Sequence, residues 1–261
     1  MADTLRWIGE IAVAVRGSGP AILFLHGVGG NRRNWDAQLE AFSARATAAA
    51  WDARGYGDSG GAVSRFEDFA DDAADVIAAL GGTAHVVGLS MGGRIALDLW
   101  NRHRETVSSL TLADTSAGAP PDPAKVARAL ELRLRPLEEE GKTPADIAET
   151  IVEEIAGPGI APAARTALLE SHRRLRTEGY AAALRAVTSF SAFPPFAAID
   201  VPVLVITGEH DRVAAPAHAR AMADAIPGAS FVEIAGAGHI SNIEAPGAFN
   251  AALGQFLEQL A

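Results

Sequence analysis

Short apolar runs alternate along this chain with longer stretches in which apolar residues recur every three or four positions. The segment IGEIAVAVRG, residues 8–17, alternates apolar and polar side chains and predicts an edge hairpin. Ala21-Ile22-Leu23-Phe24-Leu25 is continuously apolar and stops at His26-Gly27, the pattern of a strand buried on both faces. Ala46 to Trp51 is a weaker strand ending at Asp52. Phe66 to Leu80 carries aliphatic residues at helical spacing and stops at Gly81-Gly82. Beyond it, His85-Val86-Val87-Gly88 reads as a strand, Met91 to Arg104 as a helix and Val107 to Ala113 as a strand. Val201 to Thr207 and Ser230 to Ile234 are two further strands, with a helix over Pro216 to Ile226 between them. Ala245 to Leu260 closes the chain as an amphipathic helix. Strands alternating with helices predict an α/β fold, with a mostly parallel central sheet and helices on both faces.

One stretch breaks the alternation. From Pro120 to Phe196 no run has strand character; the segment is rich in Ala, Leu, Glu and Arg, with prolines at its edges. It predicts an insertion of three or four helices. The expected organisation is an α/β core over 1–119 and 197–261, carrying a helical cap over 120–196. A length of 261 residues suits a single α/β domain with such an insertion.

Composition narrows the chemistry. Hydrophobic residues make up 49%, enough for a large core without staples. The absence of cysteine removes disulfides, thiolate metal sites and cysteine nucleophiles. With 22 basic and 32 acidic residues the net charge is −10, so a nucleic-acid partner is not expected. The N-terminus has no basic start followed by an apolar run and a small-residue cleavage site, so no signal peptide is expected. The apolar stretches are too short and broken for a membrane span, and a cytoplasmic location is the expectation. The pattern implies no particular oligomeric state.

The chemistry is carried by Gly88-Leu89-Ser90-Met91-Gly92-Gly93. It matches Gly-x-Ser-x-Gly between a predicted strand and a predicted helix, the pattern of the nucleophile elbow of α/β hydrolases. A strand must turn sharply into a helix, leaving the serine hydroxyl projecting from a strained backbone. Flanking side chains would strike the crossing backbone, so Gly88 and Gly92 are small. The helix that follows turns its positive end toward a developing anion.

Two further segments complete a set. Val203 to Thr207 runs into Gly208-Glu209-His210-Asp211, placing Asp211 just past the carboxyl end of a strand, where α/β active sites gather. Gly236-Ala237-Gly238-His239 follows the last strand, and its glycines predict a flexible loop carrying the histidine. The order Ser, Asp, His is the one expected of this fold. Ser90 is the candidate nucleophile, His239 the base that activates it and Asp211 the acid that orients the base. Of the seven histidines only His239 follows the last strand; His210, beside the acid, reads as structural. Asp114, at the end of the strand after the elbow helix, is the rival acid.

Across nearly its full length the chain resembles the α/β-hydrolase superfamily. The resemblance rests on His26-Gly27-Val28-Gly29-Gly30, on Asp52-Ala53-Arg54-Gly55-Tyr56-Gly57-Asp58-Ser59, on the elbow, on Gly208 to Asp211 and on Gly238-His239. Within it, Leu112-Ala113-Asp114-Thr115-Ser116-Ala117 and the segment from Gly238 to Pro246 look like the 3-oxoadipate enol-lactonase group and related small carboxylesterases. The resemblance implies a serine hydrolase acting on a small-molecule carboxylic ester or lactone, with no metal or organic cofactor. It also implies an oxyanion hole formed by the backbone N–H groups of Val28 and Met91, each such donor contributing roughly 3 kcal/mol.

Serine rather than aspartate at the nucleophile position argues against dehalogenase and epoxide-hydrolase chemistry. The His26–Gly30 loop lacks the proline of proline iminopeptidases and meta-cleavage C–C hydrolases, which lowers both. A cofactor-free perhydrolase, or haloperoxidase, and a C–C bond hydrolase remain alternatives on the same triad. A small-molecule receptor without turnover is the alternative of another class. Trp35 and Arg94 are candidates for shaping the pocket, Trp35 also as packing and Arg94 also as an ordinary helix-surface residue. Arg128, Arg133, Arg135, Arg173, Arg174 and Arg176 in the insertion read mainly as solvated, with one of them reaching an anionic substrate as the other possibility.

Overall fold

The computed structural model describes residues 4–116 and 122–260. The predicted cap boundary at 119/120 and Ala117 of the Leu112–Ala117 motif lie outside the described residues. Eight strands form one sheet in the order β1-β2-β4-β3-β5-β6-β7-β8. The edge hairpin is β1 (Thr4–Ile8) with β2 (Ile11–Arg16), and β2 also runs antiparallel to β4 (Thr47–Trp51). From β4 onward every pairing is parallel, through β3 (Ala21–Leu25), β5 (Ala84–Leu89), β6 (Val107–Ala113), β7 (Val203–Gly208) and β8 (Ser230–Ile234).

Alternation along each strand divides the core into two layers. In β3, Leu23 and Leu25 face the layer under α2 (Glu67–Leu80), α3 (Met91–Arg102) and α9 (Pro216–Ala225). Ile22 and Phe24 face the layer under α1 (Asp36–Phe42) and α11 (Pro246–Glu258). Both faces are therefore covered, which is why β3 reads as a continuous apolar run instead of an alternating one. The helix α2 stops where predicted, with Gly81 at φ 126° and Gly82 at φ 95°.

Sequence patterning missed α1. Its core face is only Leu39 and Phe42, a period too brief to register. A capping box lies one turn earlier, on the 3₁₀ turn over Arg32–Trp35 that leads into α1: the Asn31 side chain accepts from the Arg33 N–H, and the Asn34 side chain accepts from the Asn31 N–H, while α1 itself starts after Trp35 without a side-chain cap. The elbow helix ends at Arg102, two residues earlier than expected, because the chain tightens into a 3₁₀ turn over Arg104–Thr106 before entering β6.

Among the described residues between 122 and 196 there is no strand. Four helical rods follow one another. The first is α4 (Pro123–Ala129), continued by a π turn over Leu130–Leu134 and by α5 (Arg135–Glu138). Then come α6 (Ala148–Ile155), α7 (Pro162–Arg173) and α8 (Thr177–Ser189). Ile151, Val152, Ile155, Leu168, Tyr180 and Leu184 turn inward and join the core layer above α2 and α3. These helices are thus seated on the carboxyl ends of the strands. No helix among the described residues is long and apolar enough to cross a membrane.

Candidate active site

Ser90 sits at the junction of β5 and α3 with φ 56° and ψ −113°, a backbone conformation that non-glycine residues rarely adopt. Its N–H donates to the Ala113 carbonyl of β6 at 2.9 Å, and the Thr115 hydroxyl donates to the Ser90 carbonyl at 2.8 Å. The neighbouring strand therefore holds the turn in place. A Cβ on Gly88 would overlap the Gly92 carbonyl, and one on Gly92 would overlap the Leu25 carbonyl. That is the crowding expected where a strand folds straight into a helix.

His239 reaches the same point from the loop after β8. Its Nε2 lies 2.9 Å from Ser90 Oγ and its Nδ1 lies 2.8 Å from Asp211 Oδ2. Three residues far apart in the chain are thereby brought together. The loop owes its position to packing rather than to flexibility. Gly238 lies against the Gly157 backbone after α6 and Gly208 against Gly238, so close that a Cβ at either glycine would overlap backbone. The His239 N–H donates to the Ile155 carbonyl at 2.8 Å. The histidine loop is clamped between β7 and the insertion.

Two carboxylates stand near the imidazole, and their hydrogen bonds separate them. Asp211 Oδ1 accepts from the N–H groups of Val213 and Ala214, both at 2.8 Å, which leaves Oδ2 for His239. Asp114 is fully buried and turned elsewhere. Its Oδ1 accepts from Gly208 N–H at 2.9 Å, and its Oδ2 accepts from the N–H and hydroxyl of Ser241 at 2.9 and 2.6 Å. It ties the Asp211 loop to the His239 loop. Burial, and then the Asp211 charge, push Asp114 up to about 7. Burial pulls the His239 imidazole down, but the charge and hydrogen bond of Asp211 outweigh it and the net shift is upward.

The His26–Gly30 loop stands opposite Ser90. His26 is buried; its Nδ1–H donates to the Gly27 carbonyl at 2.8 Å and its Nε2 accepts from Ala53 N–H at 3.0 Å. Gly30 N–H closes the turn on the Gly27 carbonyl at 3.0 Å. Val28 borders both cavities described below and Met91 borders the second. As the first residue of α3, Met91 has an N–H with no carbonyl of its own helix to meet.

Two open-sided cavities meet at Ser90, and Val28, Arg133, Val213 and His239 border both. The first, about 70 Å³, lies between the His26–Gly30 loop and helices α6 and α7, with apolar walls from Trp35, Leu89, Ile151, Ile155, Leu168 and Ile240. The second, about 200 Å³, lies over the start of α3 and beneath α4 and α8. It is bordered by Arg94, Lys125, Arg128, Arg133 and Arg212. Arg128 and Arg133 share one carboxylate, Glu154, at 3.2 and 3.0 Å. Arg94, Arg212 and Lys125 donate instead to backbone carbonyls of Phe190, Glu153 and Val213. Positive charge therefore exceeds negative in this cavity. Burial lowers Arg94 to about 10, which leaves it a cation at neutral pH.

The other residues singled out from the sequence have separate surroundings. Trp35 is buried against Phe24 and Phe249 while bordering the apolar cavity. Arg135 is exposed and pairs with Glu131 and Glu139, and Arg176 donates to backbone carbonyls of Gly55 and Ser59. Sequence reasoning missed His172 of α7 and Asn242 of α10 (Ser241–Glu244), both of which border the apolar cavity. Neither residue carries a local pattern; only the tertiary fold brings them to Ser90. Among the described residues no group of three or more His, Cys, Asp or Glu side chains could hold a metal.

A family profile described as the Alpha/beta hydrolase family matches residues 22–252. The 3-oxoadipate enol-lactonase 2 of Acinetobacter baylyi is 31% identical over 243 residues, spanning 90% of this chain and 87% of that protein. A thermophilic esterase from Thermogutta terrifontis superposes with a TM-score of 0.83 at 27% identity, covering 100% of this chain and 99% of the other. The enol-lactonase from Burkholderia xenovorans LB400 superposes with a TM-score of 0.82 at 28% identity, covering 98% and 100%.

Proposed function

The chain belongs to the alpha/beta hydrolase family and is a hydrolase, and from that premise we propose that it cleaves a carboxylic ester or lactone through an acyl-enzyme on Ser90. The observation that carries this reading is a single line of contacts bordering a cavity: Ser90 Oγ beside His239 Nε2, with His239 Nδ1 on Asp211.

In the proposed cycle Ser90 Oγ attacks the acyl carbon as His239 Nε2 takes its proton. The carbonyl oxygen becomes an oxyanion that accepts from the N–H groups of Val28 and Met91. Asp211 keeps the proton on Nδ1 and stabilises the imidazolium. His239 then returns the proton to the leaving oxygen as the carbon–oxygen bond breaks. Water, deprotonated by His239, cleaves the acyl-enzyme and releases a carboxylate, with Ser90 reprotonated. The residues present suffice for each step, so no metal or organic cofactor is invoked.

The substrate of this reading is a small molecule spanning both cavities. Its apolar part lies against Ile151, Ile155 and Leu168. The surplus of arginine and lysine beside α3 suits a carboxylate, whether carried by the substrate or formed as product. The insertion over 120–196 is the lid of this reading, since α6 and α7 wall the apolar cavity. The test is hydrolysis of p-nitrophenyl acetate by the wild type and by Ser90→Ala. Turnover that falls on the order of a million-fold in the variant supports the reading. A protein that neither turns over the ester nor reacts with a fluorophosphonate is a binding module, and the proposal falls.

A further inference from the structure

Two residues that border the apolar cavity each carry a buried acceptor atom with nothing to accept. His172 is buried on α7, and its Nδ1–H donates to the Leu168 carbonyl one turn back at 3.0 Å. That bond fixes the tautomer and makes Nε2 a lone-pair acceptor. Nε2 has no hydrogen-bond partner among the described residues, and it points toward the His26–Gly30 loop: a Cβ on Gly29 would lie 2.5 Å from it. Burial lowers the imidazole to about 4, so the lone pair is present at neutral pH.

Asn242 borders the same cavity from α10, and the orientation of its amide is determined as well. Its Nδ2 donates to the Asn34 carbonyl at 2.8 Å, an atom that can only accept, so the amide cannot be turned around. Its buried Oδ1 has no partner among the described residues. Buried acceptors left unpaired are costly, and a family of aliphatic walls would be better served by carbon at both positions. Ser171 adds a third observation. Its hydroxyl donates to the Gly29 carbonyl at 2.9 Å and accepts from Asn31 Nδ2 at 2.9 Å, which locks the His172 segment against the loop beside Ser90.

We propose that His172 Nε2 and Asn242 Oδ1 form a subsite that selects substrates carrying a neutral hydroxyl or N–H donor in the half that fills the apolar cavity. The subsite rests on the ester or lactone hydrolase reading and adds the chemical class of the bound group. Against those two atoms a carboxylate would set acceptor against acceptor. A plain alkyl chain fits the walls but leaves both atoms unpaired. A hydroxyl or amide N–H satisfies at least one of them, and such a site rejects the analogue that lacks the donor.

The experiment compares kcat/KM within matched pairs. One series is p-nitrophenyl ω-hydroxyalkanoates of increasing length, each beside the alkanoate in which methyl replaces the hydroxyl. The other is ω-hydroxyalkyl acetates beside alkyl acetates, which places the same group on the alcohol side. The hydroxyl partner is expected to win by about tenfold or more at the length that spans the cavity in one series, the worth of one hydrogen bond. His172→Phe and Asn242→Leu should each pull that ratio toward one. Should His172→Phe fail to fold, Asn242→Leu carries the comparison. Methyl preferred or equal at every length in both series overturns the subsite while leaving the hydrolase reading intact. A hydroxyl preference that persists in both variants also overturns it. If no ester is hydrolysed and Ser90 is not labelled by a fluorophosphonate, the hydrolase reading itself fails and the subsite with it.

Discussion

Replacing Asp211 by asparagine tests the proposed triad through a single proton. The two Asp211 oxygens are not equivalent: Oδ1 receives the N–H groups of Val213 and Ala214, and Oδ2 receives His239. An asparagine at this position must keep its oxygen on the two backbone donors, because turning the amide would set an NH₂ against two N–H groups. The NH₂ therefore faces His239 Nδ1. The imidazole keeps that hydrogen bond only by moving its proton to Nε2, and an Nε2 that already holds a proton cannot accept one from Ser90. The Asp211 side chain is fully shielded, so water cannot relieve the mismatch. The expected loss in kcat is about ten-thousand-fold, the cost of the wrong tautomer in a triad of this kind. At about 1.36 kcal/mol per decade that is roughly 5.4 kcal/mol of barrier. The assay is steady-state hydrolysis of p-nitrophenyl acetate, with near-UV circular dichroism to show that the fold persists. A loss of less than about tenfold in a folded Asp211→Asn protein would refute the reasoning.

Three further outcomes follow from the same geometry. Asp114→Asn places an NH₂ against either Gly208 N–H or the Ser241 donors, so it should cost about 1–3 kcal/mol of stability in a denaturant titration; its kcat should fall far less than that of Asp211→Asn, and the reverse order would make Asp114 the acid. Because Asp211 raises His239, and only the neutral imidazole is a base, kcat/KM should rise with pH through a midpoint above the ordinary histidine value; in Asp211→Asn the residual activity should show that midpoint displaced to lower pH, and an unmoved or raised midpoint contradicts the assignment. Gly92→Ala drives a methyl into the Leu25 carbonyl and should destabilise by roughly 3 kcal/mol or more; an unchanged thermal melt would mean that the elbow is not as crowded as described.

Much of this molecule was legible before folding, for identifiable reasons. The strand Ala21–Leu25 and the Gly-x-Ser-x-Gly elbow announce themselves because the constraint is local: continuous burial in one case, crowding of adjacent backbone in the other. Asp211 and His239 could be put forward as candidates because the ends of successive parallel strands gather at one rim. What stayed hidden depends on contacts between distant segments. Two aspartates at strand ends look alike in sequence; they differ in which backbone amides each carboxylate receives. The glycines before His239 suggested a flexible loop, yet their missing side chains let three backbone segments pack together. The composition between 123 and 189 is that of helices but does not mark their inward faces, so His172 looks like any other histidine on a polar helix. Helix α1 escaped because Leu39 and Phe42 are too few to set a period.

The central claim is a covalent one, that Ser90 Oγ becomes the acyl oxygen. The most direct measurement is intact-protein and peptide mass spectrometry after brief exposure to a fluorophosphonate. One adduct per chain is expected, located on the peptide containing Ser90 and missing from Ser90→Ala, with ester hydrolysis lost in step. An adduct on any other residue, or undiminished hydrolysis by the Ser90→Ala protein, would contradict it.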